Sequence, residues 1–196
     1  MLILKNATIL NFDPPQVLKD QDVLIEGGRI ADVGKGIAEG VTASKIIDLS
    51  GKYISPGLVC AHNHFYSALA RGIVADIKSS TDFIGILQHL WWKLDRALDE
   101  ESLYYSGITG ALEAIKCGTT SVIDHNASPA FINGSHQLLK ECFENAGLRG
   151  ILCYEVTCRN GKEETDKGIR ETEDFIHSLS TQRAGKLPLI EAAVGA

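Results

Sequence analysis

Ile54-Ser55-Pro56-Gly57-Leu58-Val59-Cys60-Ala61-His62-Asn63-His64 is a proline-glycine corner feeding a short apolar strand with two histidines at its end. Apolar residues then return at helical spacing. Phe83, Leu87, Leu90, Trp91 and Leu94 form one stripe, and Tyr104, Ile108, Ala111, Leu112 and Ile115 form a second. Asp99 is placed to cap the second helix, Glu100 and Glu101 sit in its positive first turn, and Gly118 stops it. Thr119 to Asp124 reads as a β-branched strand. Leu138, Leu139, Cys142, Phe143 and Ala146 give a helix closed by Gly147, and Ile151 to Val156 gives another strand. A helix from about Glu164 to Leu179 should bury Ile169, Ile176 and Leu179, before a last strand over Leu187 to Val194. Strand-helix alternation of this kind predicts an α/β unit with a parallel sheet covered by helices. An open doubly wound sheet and part of a closed eight-stranded barrel both fit. No G-x-G-x-x-G stands at a strand-helix junction, and there is no P-loop, so nucleotide-binding folds of those types have no support.

Working outward toward the N-terminus, the texture changes. Leu2 to Leu10 is a β run, Val23 to Ile25 and Arg29 to Val33 flank the turn Glu26-Gly27-Gly28, and Lys45 to Leu49 is a short strand. The expectation is a small antiparallel sheet over residues 1–54, followed by the α/β unit over 55–196. A sheet of about fifty residues cannot cover both its faces alone.

Composition narrows the function classes. The chain has 196 residues, 44% hydrophobic and 22% charged, with a net charge of −6. That balance suits a globular domain and argues against a nucleic-acid backbone as partner. No run approaches the ~20 apolar residues of a spanning helix, and the first residues lack the features of a signal peptide. No membrane partner and a cytoplasmic location are therefore expected. Five cysteines lie far apart without a C-x-x-C pair, as in reduced and mostly buried thiols.

His62 and His64 carry the main chemical signal. Residues i and i+2 of a strand share a face. The two imidazoles can converge at the strand's C-terminal end, where α/β folds place their sites, and imidazole suits zinc, iron and nickel. The alternative is a loop pair, or a packed and hydrogen-bonded histidine. His125 follows Asp124 at the next strand's end, as a substrate contact or a structural histidine. Asp124 would orient a neighbouring histidine or fix a loop through backbone N–H groups. Glu155 ends the third strand at the mouth, as a candidate substrate contact. Trp91 and Trp92 point about 100° apart on a helix, so one packs while the other covers a pocket; Trp92 is the candidate for stacking on a flat ring. His89, His136 and His177 read as helix residues without a chemical role, and Cys60 as packing.

The run Gly51 to His64 resembles the first barrel strand of the metal-dependent amidohydrolase superfamily. Gly118-Thr119-Thr120-Ser121-Val122-Ile123-Asp124-His125 resembles its second strand, and the N-terminal strands around Glu26-Gly27-Gly28-Arg29-Ile30 resemble its accessory β domain. The nearest likeness is to the branch of cyclic amidine deaminases and chlorohydrolases, including aminohydrolases of purine metabolism. The resemblance implies the N-terminal part of a (β/α)8 TIM-like barrel, about four of eight strands, with a small accessory β-sandwich. It implies a divalent metal, zinc foremost or iron, held in part by His62 and His64. It implies metal-activated water attacking a heterocyclic small molecule, with release of ammonia or, alternatively, halide, and assembly as a homodimer. The remaining ligands and the catalytic acid-base groups are expected beyond residue 196, so the chain is expected to be part of a longer protein and a poor enzyme alone, or a non-catalytic scaffold.

Overall fold

A computed structural model describes residues 1–73, 76–181 and 188–195. The chain divides into two compact units, Met1–Pro56 and Gly57–Ala196.

The first unit is a five-stranded sheet in the order β3-β2-β1-β4, with β5 also on β1. Its strands are β1 (Leu2–Phe12), β2 (Pro15–Glu26), β3 (Arg29–Gly34), β4 (Lys45–Asp48) and β5 (Tyr53–Ile54). The expected hairpin is present. Glu26 pairs with Arg29 across Gly27 and Gly28, which both take positive φ, the conformation a two-residue turn demands. The sheet is mixed rather than antiparallel, because β4 and β5 run parallel to β1. The sequence does not betray this, since strand direction is set by the path of the connections and not by composition. Ile3, Ala7 and Val23 are its most buried apolar residues on the two long strands. Asp22, also buried, accepts hydrogen bonds from the backbone N–H groups of Asn6 and Ala38.

The second unit has four parallel strands in sequence order, β6 (Leu58–Asn63), β7 (Thr119–Asn126), β8 (Arg149–Tyr154) and β9 (Ile190–Ala192). Helices α1 (Phe83–Ile86), α2 (Trp92–Ala97) and α3 (Glu100–Lys116) lie between β6 and β7. Helix α4 (Ser135–Ala146) connects β7 to β8, and α5 (Lys162–Thr181) connects β8 to β9. A doubly wound sheet reverses its strand order at a switch point; this one does not. Strand order 6-7-8-9 with a helix at every crossover is the arrangement of part of a (β/α)8 barrel. Phe65, Leu103, Leu139, Phe143, Leu148, Leu152, Phe175 and Ile190 knit the sheet to its helices.

The Asp99 cap forms as expected. Its carboxylate accepts from Ser102 N–H while the Ser102 hydroxyl accepts from Asp99 N–H. Several buried faces differ from the apolar stripes. On α3 the buried residues are Leu103, Ser106, Gly107, Gly110 and Ala111, whereas Leu112 and Ile115 are exposed. Close approach explains the choice. A Cβ on Gly110 would stand 2.6 Å from the Phe65 ring, so the small residues are where neighbours press in. On α5, Phe175 is buried with Gly168, Thr172 and Leu179, and Ile169 and Ile176 face outward. Phe83 is exposed, and the expected first helix is interrupted by a π-helical turn over Leu87–Trp91. Of the expected last strand, Ile190–Ala192 is regular, and Leu187 lies outside the described residues. All five cysteines are free; Cys142 and Cys153 are buried, but Cys117 and Cys158 are exposed, against the expectation of mostly buried thiols. Among the described residues, no helix is long and apolar enough to cross a membrane.

Candidate metal centre

Strand β6 carries His62, and His64 follows its last residue, past a local irregularity. Cys60 pairs with Val122 and Asn63 with Asp124, so Ala61 and His62 together oppose one residue of β7. A bulge of this kind re-aims side chains at a strand end. The two imidazoles meet edge-to-face, with their Nε2 atoms 2.9 Å apart. The His64 Nδ1 lies 2.9 Å from the carbonyl oxygen of His125. A carbonyl only accepts, so His64 carries its proton on Nδ1 and turns the Nε2 lone pair toward His62. A carbonyl on the far nitrogen is the usual support of a metal-ligating imidazole. Two nitrogens 2.9 Å apart also fit a shared ion, since zinc–imidazole bonds are about 2.0–2.1 Å. The donor set therefore suits a divalent ion, as half of a site. Among the described residues, no three His, Cys, Asp or Glu side chains gather as a ligand group.

Asp124 takes the second of the two roles foreseen for it. Its Oδ1 accepts from the Phe65 backbone N–H at 2.7 Å and so fixes the turn that follows His64. Its other oxygen has no partner, and burial pushes its pKa up to about 7 against the Phe65 hydrogen bond. The His125 ring stands edge-on to His64, with centroids 5.4 Å apart. Its Nδ1 is buried without a hydrogen bond, 4.0 Å from Glu155 Oε2. Burial lowers the His125 pKa; Glu155 opposes this, and the neighbouring histidines reinforce it.

Glu155 directly follows β8, and its Oε1 accepts from Arg159 at 2.6 Å. The same guanidinium bonds Asp95 and lies 5.4 Å from the centroid of the Trp92 ring. Tyr66 packs edge-on to His64 and contacts Asp95. His64, His125, Glu155, Arg159 and Trp92 thus form one continuous chain of contacts. His62 joins it through His64. The two tryptophans part company as their angular separation requires. Trp91, with Leu90, Leu94, Asn63 and His64, lines a cavity of about 700 Å³, while Trp92 carries the guanidinium.

Tyr66, Asp95 and Arg159 were not foreseen. Asp95 could have been flagged: it lies three residues from both Trp92 and Leu98 on an otherwise apolar helix face, and a carboxylate there needs a partner. Arg159 had no local signal, being 64 residues away. His136, on α4 as expected, is buried. It stacks on Phe175, and its Nδ1 lies 3.3 Å from Glu171.

The sequence and the fold have counterparts among known proteins. A 5-methylthioadenosine/S-adenosylhomocysteine deaminase of Thermococcus sibiricus is 31% identical over 185 residues, covering 93% of this chain and 40% of that protein. A 5'-deoxyadenosine deaminase of Methanocaldococcus jannaschii is 26% identical over 181 residues, covering 92% of this chain and 39% of that one. The chain thus spans about two fifths of the length of these relatives. In three dimensions, the guanine deaminase of C. acetobutylicum with bound guanine superposes with a TM-score of 0.78 at 18% identity, over 98% of this chain and 45% of that chain. The atrazine chlorohydrolase TrzN of Arthrobacter aurescens TC1 complexed with zinc gives 0.73 at 22%, over 99% and 46%. The amidohydrolase family pattern matches residues 53–187, a stretch running from the corner before the paired histidines through all of α5. With more than half its length matched, and that stretch holding β6, β7 and β8 with the helices that connect them, the chain belongs to the amidohydrolase family.

Proposed function

We propose that this chain supplies the first metal ligands of a hydrolase that deaminates a purine-like heterocycle, with adenosine-like compounds first among the candidates. The observation that carries the reading is the facing pair of His62 and His64 Nε2 atoms, with His64 locked by the His125 carbonyl. A divalent ion there, zinc by preference and iron as the alternative, would supply Lewis acidity and an activated water, the reagent of hydrolysis at neutral pH. The chain's own groups do the rest of what is asked of them here. His125 and Asp124 hold the two sides of the His64 turn. The His125 ring and the free oxygen of Glu155 would offer polar contacts to a heterocycle edge, and Trp92, with Arg159 over its ring, is the side chain proposed to stack on a flat heterocycle. Water replaces the ring amino group, which leaves as ammonia. Two imidazoles are too few for a tight site, so the other ligands and the acid-base groups are expected from the part of the relatives' length that this chain does not span. The deaminase relatives favour loss of ammonia over loss of halide.

The test has two arms. Zinc titrated into this chain by calorimetry should bind weakly, and His62→Ala and His64→Ala should each abolish that binding. The full-length protein should release ammonia from 5'-deoxyadenosine or guanine faster than halide from atrazine. Undiminished zinc binding in both variants, or a full-length protein that holds no divalent metal, would refute the reading.

A further inference from the structure

A buried carboxylate on a short connecting helix calls for an explanation. Asp95 is 1% exposed, although its neighbours Lys93, Arg96 and Ala97 on α2 are open to solvent. Burying a charge without a partner is costly, and breaking a buried pair is worse. Arg159 meets the need from the loop after β8, with one nitrogen on Asp95 and another on Glu155. The next residue of α2 binds the same loop, for Arg96 donates to Asn160 at 2.6 Å and pairs with Glu164. The guanidinium plane also covers the Trp92 ring. Glu155 is held twice over, since its backbone N–H donates to the Asn126 carbonyl at 2.8 Å. Only one of its carboxylate oxygens is used by Arg159. The other faces the His125 ring across 4.0 Å, where a buried nitrogen has no hydrogen-bond partner.

We infer that Asp95 is a positioning residue for this site: through the forked Arg159 guanidinium it clasps α2 to the loop after β8 and holds the free oxygen of Glu155 beside the His125 ring, where substrate binds. The role deepens the proposed deaminase reading and rests on it for the word substrate. The clasp itself rests only on the contacts just described. Arginine is the required link, because a lysine presents a single point charge and cannot fork to two carboxylates.

The experiment uses the full-length protein with its metal, in a Trp91→Phe background, and the Trp92 emission is taken as the difference from the same protein carrying Trp92→Phe as well. Kinetics are measured with 5'-deoxyadenosine for Asp95→Asn, Glu155→Gln, the double variant and Arg159→Lys. The expected result is a rise in KM of about tenfold for each single variant, little change in kcat, and a double variant no worse than either single one. Asp95→Asn should also shift the Trp92 emission as Arg159→Ala does, and millimolar guanidinium ion should restore emission and KM in Arg159→Ala. A purely structural role would lower kcat through loss of active molecules and leave KM alone; that result, or additive effects of Asp95→Asn and Glu155→Gln, overturns the inference. Should Asp95→Asn fail to fold, Arg159→Lys decides: a KM matching that of Glu155→Gln supports the clasp, and an unchanged KM ends it. A protein that turns over no purine refutes the proposed function separately. The clasp then stands or falls on whether Asp95→Asn reproduces the Trp92 emission of Arg159→Ala, or, should that variant not fold, on whether guanidinium ion restores the emission in Arg159→Ala.

Discussion

Asp124→Asn tests the electrostatics that underlie the His64 turn. Asp124 has no solvent exposure, one oxygen bonded to Phe65 N–H and the other without a partner. Burial raises its pKa from 3.8 to about 7. A raised acid pKa means that the fold prefers the protonated carboxyl. Between about pH 4 and pH 7 the unfolded chain has released this proton and the folded chain has not, so stability falls as pH rises, then levels off above the folded pKa. At about 1.4 kcal/mol per unit, the rise comes to about 4 kcal/mol. Asparagine keeps an oxygen for Phe65 N–H and cannot ionise. Its amide nitrogen lacks a partner, which adds a penalty of about 1–3 kcal/mol that does not vary with pH. Urea unfolding of both proteins in chelator, at about pH 4.5 and about pH 8, measures the difference. The wild type is expected to lose about 3–4 kcal/mol more than D124N over that interval. A gap between the two proteins that stays constant with pH would refute the assignment of a buried, protonated Asp124.

Gly110→Ala should destabilise by about 1–3 kcal/mol in thermal or urea unfolding, because the added Cβ would stand 2.6 Å from Phe65, a fixed ring rather than a flexible chain end. On α5, Phe175→Ala should cost about 3–5 kcal/mol and Ile176→Ser less than about 0.5, reversing the ranking that the apolar stripe suggests. Thiol labelling near neutral pH should modify Cys117 and Cys158 first. Cys142 and Cys153, with pKa values pushed up to about 11 by burial, should react only on unfolding.

Much of the barrel unit is legible in its residues because short-range rules dictate it. Asp99 caps α3, Gly118 and Gly147 take positive φ after the helices they close, and a β-branched run forms β7. The readings that fail are those in which a distant neighbour decides. Ile176 and Phe175 are both apolar, and the packing of α5 against the core, with His136 stacked on Phe175, selects which one is covered. The parallel course of β4 and β5 on β1 is likewise a property of the path and not of the strands.

For the site, the division follows the same line. The linear order of residues set the two histidines side by side at a strand end, marked Asp124, Glu155 and the two tryptophans but not Tyr66 or Asp95, and identified the family. Three-dimensional packing decided that a bulge and the His125 carbonyl bring the two Nε2 atoms face to face, and that Asp95, Arg159 and Glu155 form one clasp. The physical reason is range: caps, turns and alternation are fixed within a few residues, whereas burial and charge pairing depend on groups that only the folded chain brings together.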